Sequence, residues 1–381
     1  MQRRINVDSG RPLEAKAQYS RAIRVNELVL QSGTTAIDLD GNIIGDTAVE
    51  QTQAIFDIAK SSMDLAEGHF EDIVRIRAFI IGRDNIRPVA DAITEKIADQ
   101  HFALTLIPTS QLARPTQLVE IELEALDGAR ANVDTLVWQG ECTRPMTIVR
   151  LRNRVLFSGV EITLSNIKLQ LNAILSSLEQ ADIPRQDLCC LRIFVSDKNK
   201  VASIVEEISA QFAGIQPVVS IIVVSAFEDP QTVAMVEAEA YIDAGARKQT
   251  IGHPQHPAFA HALVVDEHIF LSNIEPLDEN VAVMKPNDWG AQRDICITRL
   301  QVLLEQLGAS LDDVINRRYF TRLDVEQNRG YGDGPAWFET TRPAALGCRI
   351  ENHLHDGTAL TLEAHAIKGA GENIEWRTLT R

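Results

Sequence analysis

Leu360, Leu362 and Ala364 alternate with Thr361, Glu363 and His365 near the end of the chain. Alternation with a period of two predicts a strand with one buried face. The same ending occurs twice earlier, as Val119-Glu120-Ile121-Glu122-Leu123-Glu124-Ala125 and as Val236-Glu237-Ala238-Glu239-Ala240-Tyr241. A second apolar strand precedes each ending: Ile76-Arg77-Ala78-Phe79-Ile80, Leu191-Arg192-Ile193-Phe194-Val195 and Arg318-Tyr319-Phe320-Thr321. From Phe79 to Glu122, from Phe194 to Glu237 and from Phe320 to Glu363 the interval is 43 residues each time. Three equal intervals predict three copies of one domain rather than a solenoid of short repeats.

Each copy opens with two short strands around a link of hairpin length. The links are Asn26-Glu27, Arg152-Asn153-Arg154 and Asp266-Glu267, and the second strands end in Ser32-Gly33, Ser158-Gly159 and Ser272-Asn273. From that serine to the phenylalanine is 47, 36 and 48 residues, so the second copy is shortened there. Apolar residues at helical spacing predict helices over 48–67, 167–180 and 291–307. Second helices are expected over 86–101, 198–212 and, shorter, 335–341. The order β-β-β-α-β-α-β-β is an α+β layer with helices on one sheet face. Boundaries are expected at 1–128, 129–244 and 245–381.

The length of 381 residues agrees with two or three domains. A net charge of −16 argues against a nucleic-acid surface. Arg75, Arg77, Arg83, Arg87, Arg317, Arg318 and Arg322 read as solvated or ion-paired strand ends. No apolar run is long enough for a membrane span, and no apolar segment follows the basic start, so a cytoplasmic protein is expected. Five scattered cysteines without a CxxC pair point to reduced thiols.

The Ser-Gly after the second strand, the helix, the Phe-containing strand and the closing Glu-x-Glu-Ala strand resemble the Rid family, also called YjgF/YER057c/UK114. The first unit, with LQSGTTAIDLDGNIIGDTAVEQTQAIFDIA, is most similar, and the resemblance runs from about residue 15 to 368. It implies three tandem Rid-like (chorismate-mutase-like) domains of a β-sheet and two helices, forming a pseudo-trimer within one chain. It also implies hydrolysis of imines or enamines in clefts between units, and a monomer or a dimer of such pseudo-trimers. The family's substrate-binding arginine follows a Pro-Ala step; the matching positions here are Val219 and Ala345, so the arginine is absent.

The third unit holds seven of the nine histidines. His355-Asp356-Gly357-Thr358 reads as a hairpin turn, since Asp-Gly tolerates positive φ. A two-residue turn would set Cys348 opposite His365 and Ile350 opposite Glu363. Cys348, Asn352, Thr361, Glu363 and His365 would then share the face lining a cleft. Glu363 is the expected general base, with Cys348 and His365 as catalytic partners. Arg349 or Arg342 would hold an anion in place of the missing arginine. Asn352, Tyr331 and Trp337 are further candidates in this unit, with Tyr19, Ser32 and Gly33 from the first and Ser158 from the second.

No GxGxxG, GxxxxGK[ST] or GxSxG motif occurs, and His353-x-His355 lacks the partners of a zinc site, so no cofactor or metal is expected. The leading reading is a hydrolase or deaminase acting on C–N bonds of a small polar metabolite. The alternatives are a lyase or isomerase on a small cyclic acid, as in the related fold of chorismatases, and a non-catalytic binding or interaction protein.

Overall fold

The computed structural model describes residues 2–38, 40–98, 100–138, 145–326 and 335–379. The three similar front hairpins form as the sequence implies: Ala22–Val25 with Leu28–Thr35, Met146–Leu151 with Arg154–Phe157, and Ala260–Val265 with His268–Leu271. Asn26, Arg152 and Asp266 take positive φ of 52°, 55° and 53° in the three links. Each hairpin also gains a strand on its outer side, from Arg4–Asp8, Asp134–Trp138 and Gln249–Gly252.

Long helices follow at Ala48–Leu65, Ile167–Gln180 and Trp289–Gln306. Thr47 and Glu50 close a capping box on the first, and Asp288 caps the third. Second helices form at Ile86–Lys96 and Val201–Gln211. The expected third one does not: residues 335–341 run through turns. Seven residues beginning with proline offer too few bonds to offset helix nucleation. Among the described residues the third unit therefore carries one long helix rather than two.

The three Phe-containing strands, Ile73–Ile81, Leu188–Val195 and Val314–Arg322, each lie between two partners. One is the closing strand, antiparallel (Val119–Leu126, Ala234–Tyr241 or Leu360–Ile367). The other is parallel (Ala103–Thr109, Val218–Val223 or Ala344–Ile350). This order corrects the expected hairpin. The turn itself exists, with the Thr358 amide bonding the His355 carbonyl and Gly357 at φ 90°. Yet Val314–Arg322 inserts between the two strands it was expected to pair, so Phe320 faces Cys348 on one side and Thr361 on the other.

Ile374–Thr378 returns to pair in parallel with Arg4–Asp8, joining the two ends of the chain in one seven-stranded sheet. The second and third units share a sheet through the pair Val218–Ala260, and Ser20 bridges to Ala344 between the first and third. Three of the apolar cores centre on Ile55, Phe56 and Ile76, on Leu171, Ile174 and Ile193, and on Leu300, Leu304 and Leu362. Among the described residues no helix is long and apolar enough to cross a membrane.

Candidate functional site

Equal register places the repeated residues of the three units together. Arg77 pairs with Glu122, Arg192 with Glu237 and Arg318 with Glu363 across their strands. These six side chains form a closed, buried ring of alternating charge. Around it, Arg77 Nη2 lies 2.5 Å from Glu237 Oε1, Arg192 Nη1 3.2 Å from the same oxygen, and Arg192 Nε 3.6 Å from Glu363 Oε2. Arg318 Nη1 lies 3.6 Å from Glu363 Oε2, Arg318 Nε 2.8 Å from Glu122 Oε2, and Arg77 Nη1 3.9 Å from Glu122 Oε2. Burial alone would raise the Glu237 carboxyl, but Arg77 and Arg75 outweigh it and hold the group below the usual carboxylate range. Beside the ring, Phe79, Phe194 and Phe320 join one apolar cluster.

This arrangement moves the expected catalytic trio apart. Glu363 belongs to the ring, and neither of its oxygens has a hydrogen-bond partner. Cys348 packs in the phenylalanine cluster, with its sulfur 2.8 Å from Thr109 Oγ1. Burial pushes its thiol up to about 12, which removes the thiolate a nucleophile needs. His365 stacks on Phe270, and its Nε2 lies 3.1 Å from His268 Nδ1. Burial, then His268, lowers it well below the ordinary histidine value. The basic strand residues Arg75, Arg77 and Arg318 are ion-paired as expected, but buried rather than solvated.

The substrate-binding candidates also divide. Arg349 Nη2 donates to the carbonyls of Leu323 and Val325, Arg342 lies over the Trp376 ring, and Asn352 is exposed in a loop. Trp337 lines a small space of about 30 Å³ with Trp289 and Arg317. Tyr331 lies outside the described residues. Ser158 lines a space between the first and second units. Tyr19 and Gly33 do meet, in a cleft of about 210 Å³ between the first and third units. Ser32 holds its wall: its Oγ donates to the Ser20 carbonyl and accepts from the Ala345 amide.

That cleft contains a carboxyl the sequence reading passed over. Glu120 sits two residues before the ring residue Glu122, on the same strand face, and lines the cleft with Tyr19, Arg21, Gly33 and Leu346. Burial first, and then the charge of Glu122, raise it to about 8 against the pull of Arg21. Arg21 is held by Glu14, with 2.6 Å between Arg21 Nε and Glu14 Oε1. Burial raises the Tyr19 phenol above its ordinary value, so its hydroxyl remains a proton donor.

Two guanidinium groups line the same cleft with buried nitrogens that have no hydrogen-bond partner, Arg11 Nη2 and Arg317 Nε. Arg317 is fixed by Nη2, which donates to the Ala17 carbonyl at 2.6 Å and the Gln18 carbonyl at 3.2 Å, and by its place over the Tyr319 ring. Ala345, where the family arginine is missing, lines this cleft too. Positive charge thus reaches the cleft from other elements.

The signal for Glu120 is a difference among the repeats. Two residues before Glu122, Glu237 and Glu363 stand Glu120, Met235 and Thr361. In the first unit a Cβ on Gly33 would overlap the Glu120 carboxylate; in the second, a Cβ on Gly159 would meet Met235 Sδ. In the third, Asn273 replaces the glycine and its Oδ1 accepts from the Ile221 amide of the second unit. One of the three equivalent positions therefore offers a proton-transfer group.

Residues 10–126 match the family model described as Endoribonuclease L-PSP. A solved member of the YjgF/YER057c/UK114 family from Mycobacterium tuberculosis is 27% identical, over 32% of this chain and 99% of its own, with a TM-score of 0.30. A structure described as an endoribonuclease from Thermotoga maritima is 23% identical, over 33% of this chain and 98% of its own, with a TM-score of 0.29. A chorismatase is 12% identical and covers 78% of this chain and 93% of its own, with a TM-score of 0.51, which is a likeness of fold. No curated protein matches the chain.

Proposed function

Taking residues 10–126 as a domain of the endoribonuclease L-PSP (YjgF/YER057c/UK114) family, we propose that the chain hydrolyses C–N bonds of small anionic imines or enamines. In this reading the chain is three such units, 1–128, 129–244 and 245–381, around a pseudo-threefold axis that passes through the Arg–Glu ring. It works as a monomer or a dimer of pseudo-trimers. The working cleft lies between the first and third units.

The observation that carries the reading is Glu120, a carboxyl raised to about 8 in a cleft lined by two guanidinium groups with unpartnered nitrogens. Arg11 Nη2 and Arg317 Nε hold the substrate carboxylate, a task suited to guanidinium. Near neutral pH Glu120 carries its proton and gives it to the imine nitrogen. The resulting carboxylate takes a proton from the water that adds to the carbon. Glu120 then gives that proton to the nitrogen, and its carboxylate takes the hydroxyl proton as the C–N bond breaks, which releases ammonia and leaves the carbonyl product. Tyr19 orients the water or the nitrogen through its hydroxyl. Glu363 and Cys348 serve the ring and the apolar cluster in this reading.

The test is ammonia release from 2-imino acids generated in the cuvette from amino acids by an amino-acid oxidase. Glu120→Gln is expected to lose roughly 10²- to 10⁴-fold in turnover. Full activity in Glu120→Gln removes the assignment. Chorismate belongs in the same panel because of the shared fold; its turnover without ammonia release would move the reaction to the lyase or hydrolase chemistry of a cyclic acid.

A further inference from the structure

The cleft that holds Glu120 takes one wall from Ala345, Leu346 and Gly347, and the approach to that wall is gripped from behind. Asn6 is at the centre of the grip. Its Nδ2 donates to the Thr341 carbonyl at 2.6 Å, the Arg342 carbonyl at 3.1 Å and Ser20 Oγ at 2.9 Å. Its Oδ1 accepts from Arg4 Nε at 2.8 Å, and Arg4 Nη2 donates to the same Thr341 carbonyl at 2.5 Å. Ser20 adds two bonds: its Oγ donates to the Arg342 carbonyl at 2.7 Å, and its amide to the Pro343 carbonyl at 3.1 Å. Asn6 and Ser20 are fully buried. Three successive carbonyls are therefore held by Arg4, Asn6 and Ser20 just before the chain enters the cleft wall.

Among the described residues the three repeats differ at this place. Asn6, Thr135 and Thr250 hold the same register in the outer strands, opposite Ile23, Val149 and Leu263. Ser20, Met146 and Ala260 each stand one residue before the carbonyl that takes the amide of Ser32, Ser158 or Ser272. Threonine has one side-chain donor hydrogen where asparagine has two, and methionine and alanine have no hydroxyl. The polar grip and the carboxyl with a proton to give thus belong to the same cleft.

We propose that Asn6 is a positioning residue for Glu120. It does not line the cleft and acts through the segment from Thr341 to Leu346. Leu346 Cδ1 lies 3.0 Å from the point where a Cβ on Gly33 would sit, and Glu120 Oε1 lies nearer still to that point. A fixed approach keeps Leu346 against the carboxyl and water away from it. Once the approach is loosened, Leu346 withdraws and water reaches Glu120. The anion anchors do not depend on this grip, since Arg317 is fixed by the carbonyls of Ala17 and Gln18. The inference rests on the role proposed for Glu120.

Asn6→Thr installs the residue found at the two equivalent positions. Ser20→Ala, which copies Ala260, is the second variant in case the first folds poorly. In both, kcat for 2-imino acids is expected to fall roughly ten- to a hundredfold, with KM within about twofold of the parent. A second readout needs no turnover: titration of the Glu120 carboxyl by ¹³C NMR of labelled glutamate, its signal identified by its loss in Glu120→Gln. The value is expected near 8 in the parent and lower in the variants, because burial is the first cause of the rise. Glu120 faces Glu122, Arg21, Tyr19 and Cys348, with Arg11 and Arg317 lining the same cleft, and neither variant alters any of these groups. A lower value therefore reports water at the carboxyl. Folded variants whose kcat and Glu120 titration both equal the parent's overturn the inference, even where the melting temperature falls, as does a rise in KM alone. If the parent turns over no imine, the reading of the reaction fails and the titration alone decides this inference: equal values overturn the positioning role and lower values support it.

Discussion

Gly33 and Glu120 compete for one volume: a Cβ built on Gly33 would overlap the glutamate's Oε1. The glycine is thus a condition for the carboxyl's position, and φ does not enter the argument. Leu346 Cδ1, 3.0 Å from the same point, closes the other side. Gly33→Ala is expected to push Glu120 out of line. Misplacement by about 1 Å can cost on the order of 10²-fold in rate. The checks are imine turnover and a thermal melt: the rate should fall by about that factor while the melt shifts little. A rate within twofold of the parent would show that Glu120 tolerates displacement and is not the reacting group.

Glu120 also makes a statement about stability. Its value in the fold is about 8 against 4.5 for the free group. The native state therefore holds a proton that the unfolded chain has released between those values. Stability attributed to this group is intact below pH 4.5 and falls as pH rises toward 8. Glu120→Gln should therefore add stability at pH 8.5, on the order of a few kcal/mol at most and seen as a higher melting temperature, and leave stability nearly unchanged at pH 4.5. Parallel melting curves of the two proteins across that range would show that the carboxyl is not raised.

The strand pattern was legible because strand geometry propagates. A constant interval of 43 residues returns the chain to the same register, so Phe79, Phe194 and Phe320 share one cluster and Glu122, Glu237 and Glu363 share one ring. The pairing around Cys348 was not legible. An Asp-Gly turn specifies a local reversal but not which strands its arms will join, and Val314–Arg322 arrives from much earlier in the chain to separate them. The carboxyl proposed here as the proton donor was visible in the sequence but not singled out. Repetition drew attention to Glu363, whereas a cleft specialises where repeats differ, at Glu120, Met235 and Thr361. Arg11 and Arg317 carried no local signal, since only the fold brings a helix start and a distant strand to one cleft.

The anion anchors yield a separate test. Arg11→Ala and Arg317→Met should raise KM for anionic imines with a smaller effect on kcat, because a carboxylate is held alike in ground and transition states. Losing one charged hydrogen bond corresponds to about 1.5–3 kcal/mol, or roughly ten- to a hundredfold in kcat/KM. Arg342→Ala and Arg349→Ala should leave KM unchanged, since those side chains serve Trp376 and the carbonyls of Leu323 and Val325. A KM rise in the latter pair and none in the former would reverse the assignment.

The ring predicts a graded set of losses. Glu237 accepts from Arg77 Nε and Nη2, from Arg192 Nη1 and from Thr105 Oγ1. Glu363 has two ion contacts at 3.6 Å and no hydrogen bond. Removing one partner of a buried pair typically costs about 3–5 kcal/mol, because the other charge stays buried. Glu237→Gln should therefore fall in that range by chemical denaturation, and Glu363→Gln well below it. Imine turnover in folded Glu363→Gln should match the parent. A selective loss of turnover there, at unchanged stability, would return Glu363 to a catalytic role.

The histidines set the acid limb. His268 and His365 stack together at the contact of the second and third units, beside Tyr241, Arg154 and Glu239. Burial, then Arg154, lowers His268 to about 4, and burial lowers His261 to about 4 and His253 to about 3. In the unfolded chain these groups take up protons near 6.5, while in the fold they resist doing so until far lower pH. The unfolded state therefore binds more protons across that window, and stability is full above 6.5 and lost as pH falls toward 4. Glu120 acts in the opposite sense between 4.5 and 8, but it is one carboxyl against several imidazoles. Melting temperature should therefore be highest near pH 6.5, decline toward pH 8 as Glu120 ionises, and drop steeply below 6.5. Replacing both stacked residues, His268→Leu with His365→Leu, removes two of the protonation sites and leaves no orphaned imidazole nitrogen. That double variant should flatten the acid limb, retaining stability on the order of a few kcal/mol at pH 5 relative to its own value at pH 7.5. An acid limb identical to the parent's would place the lability in other groups.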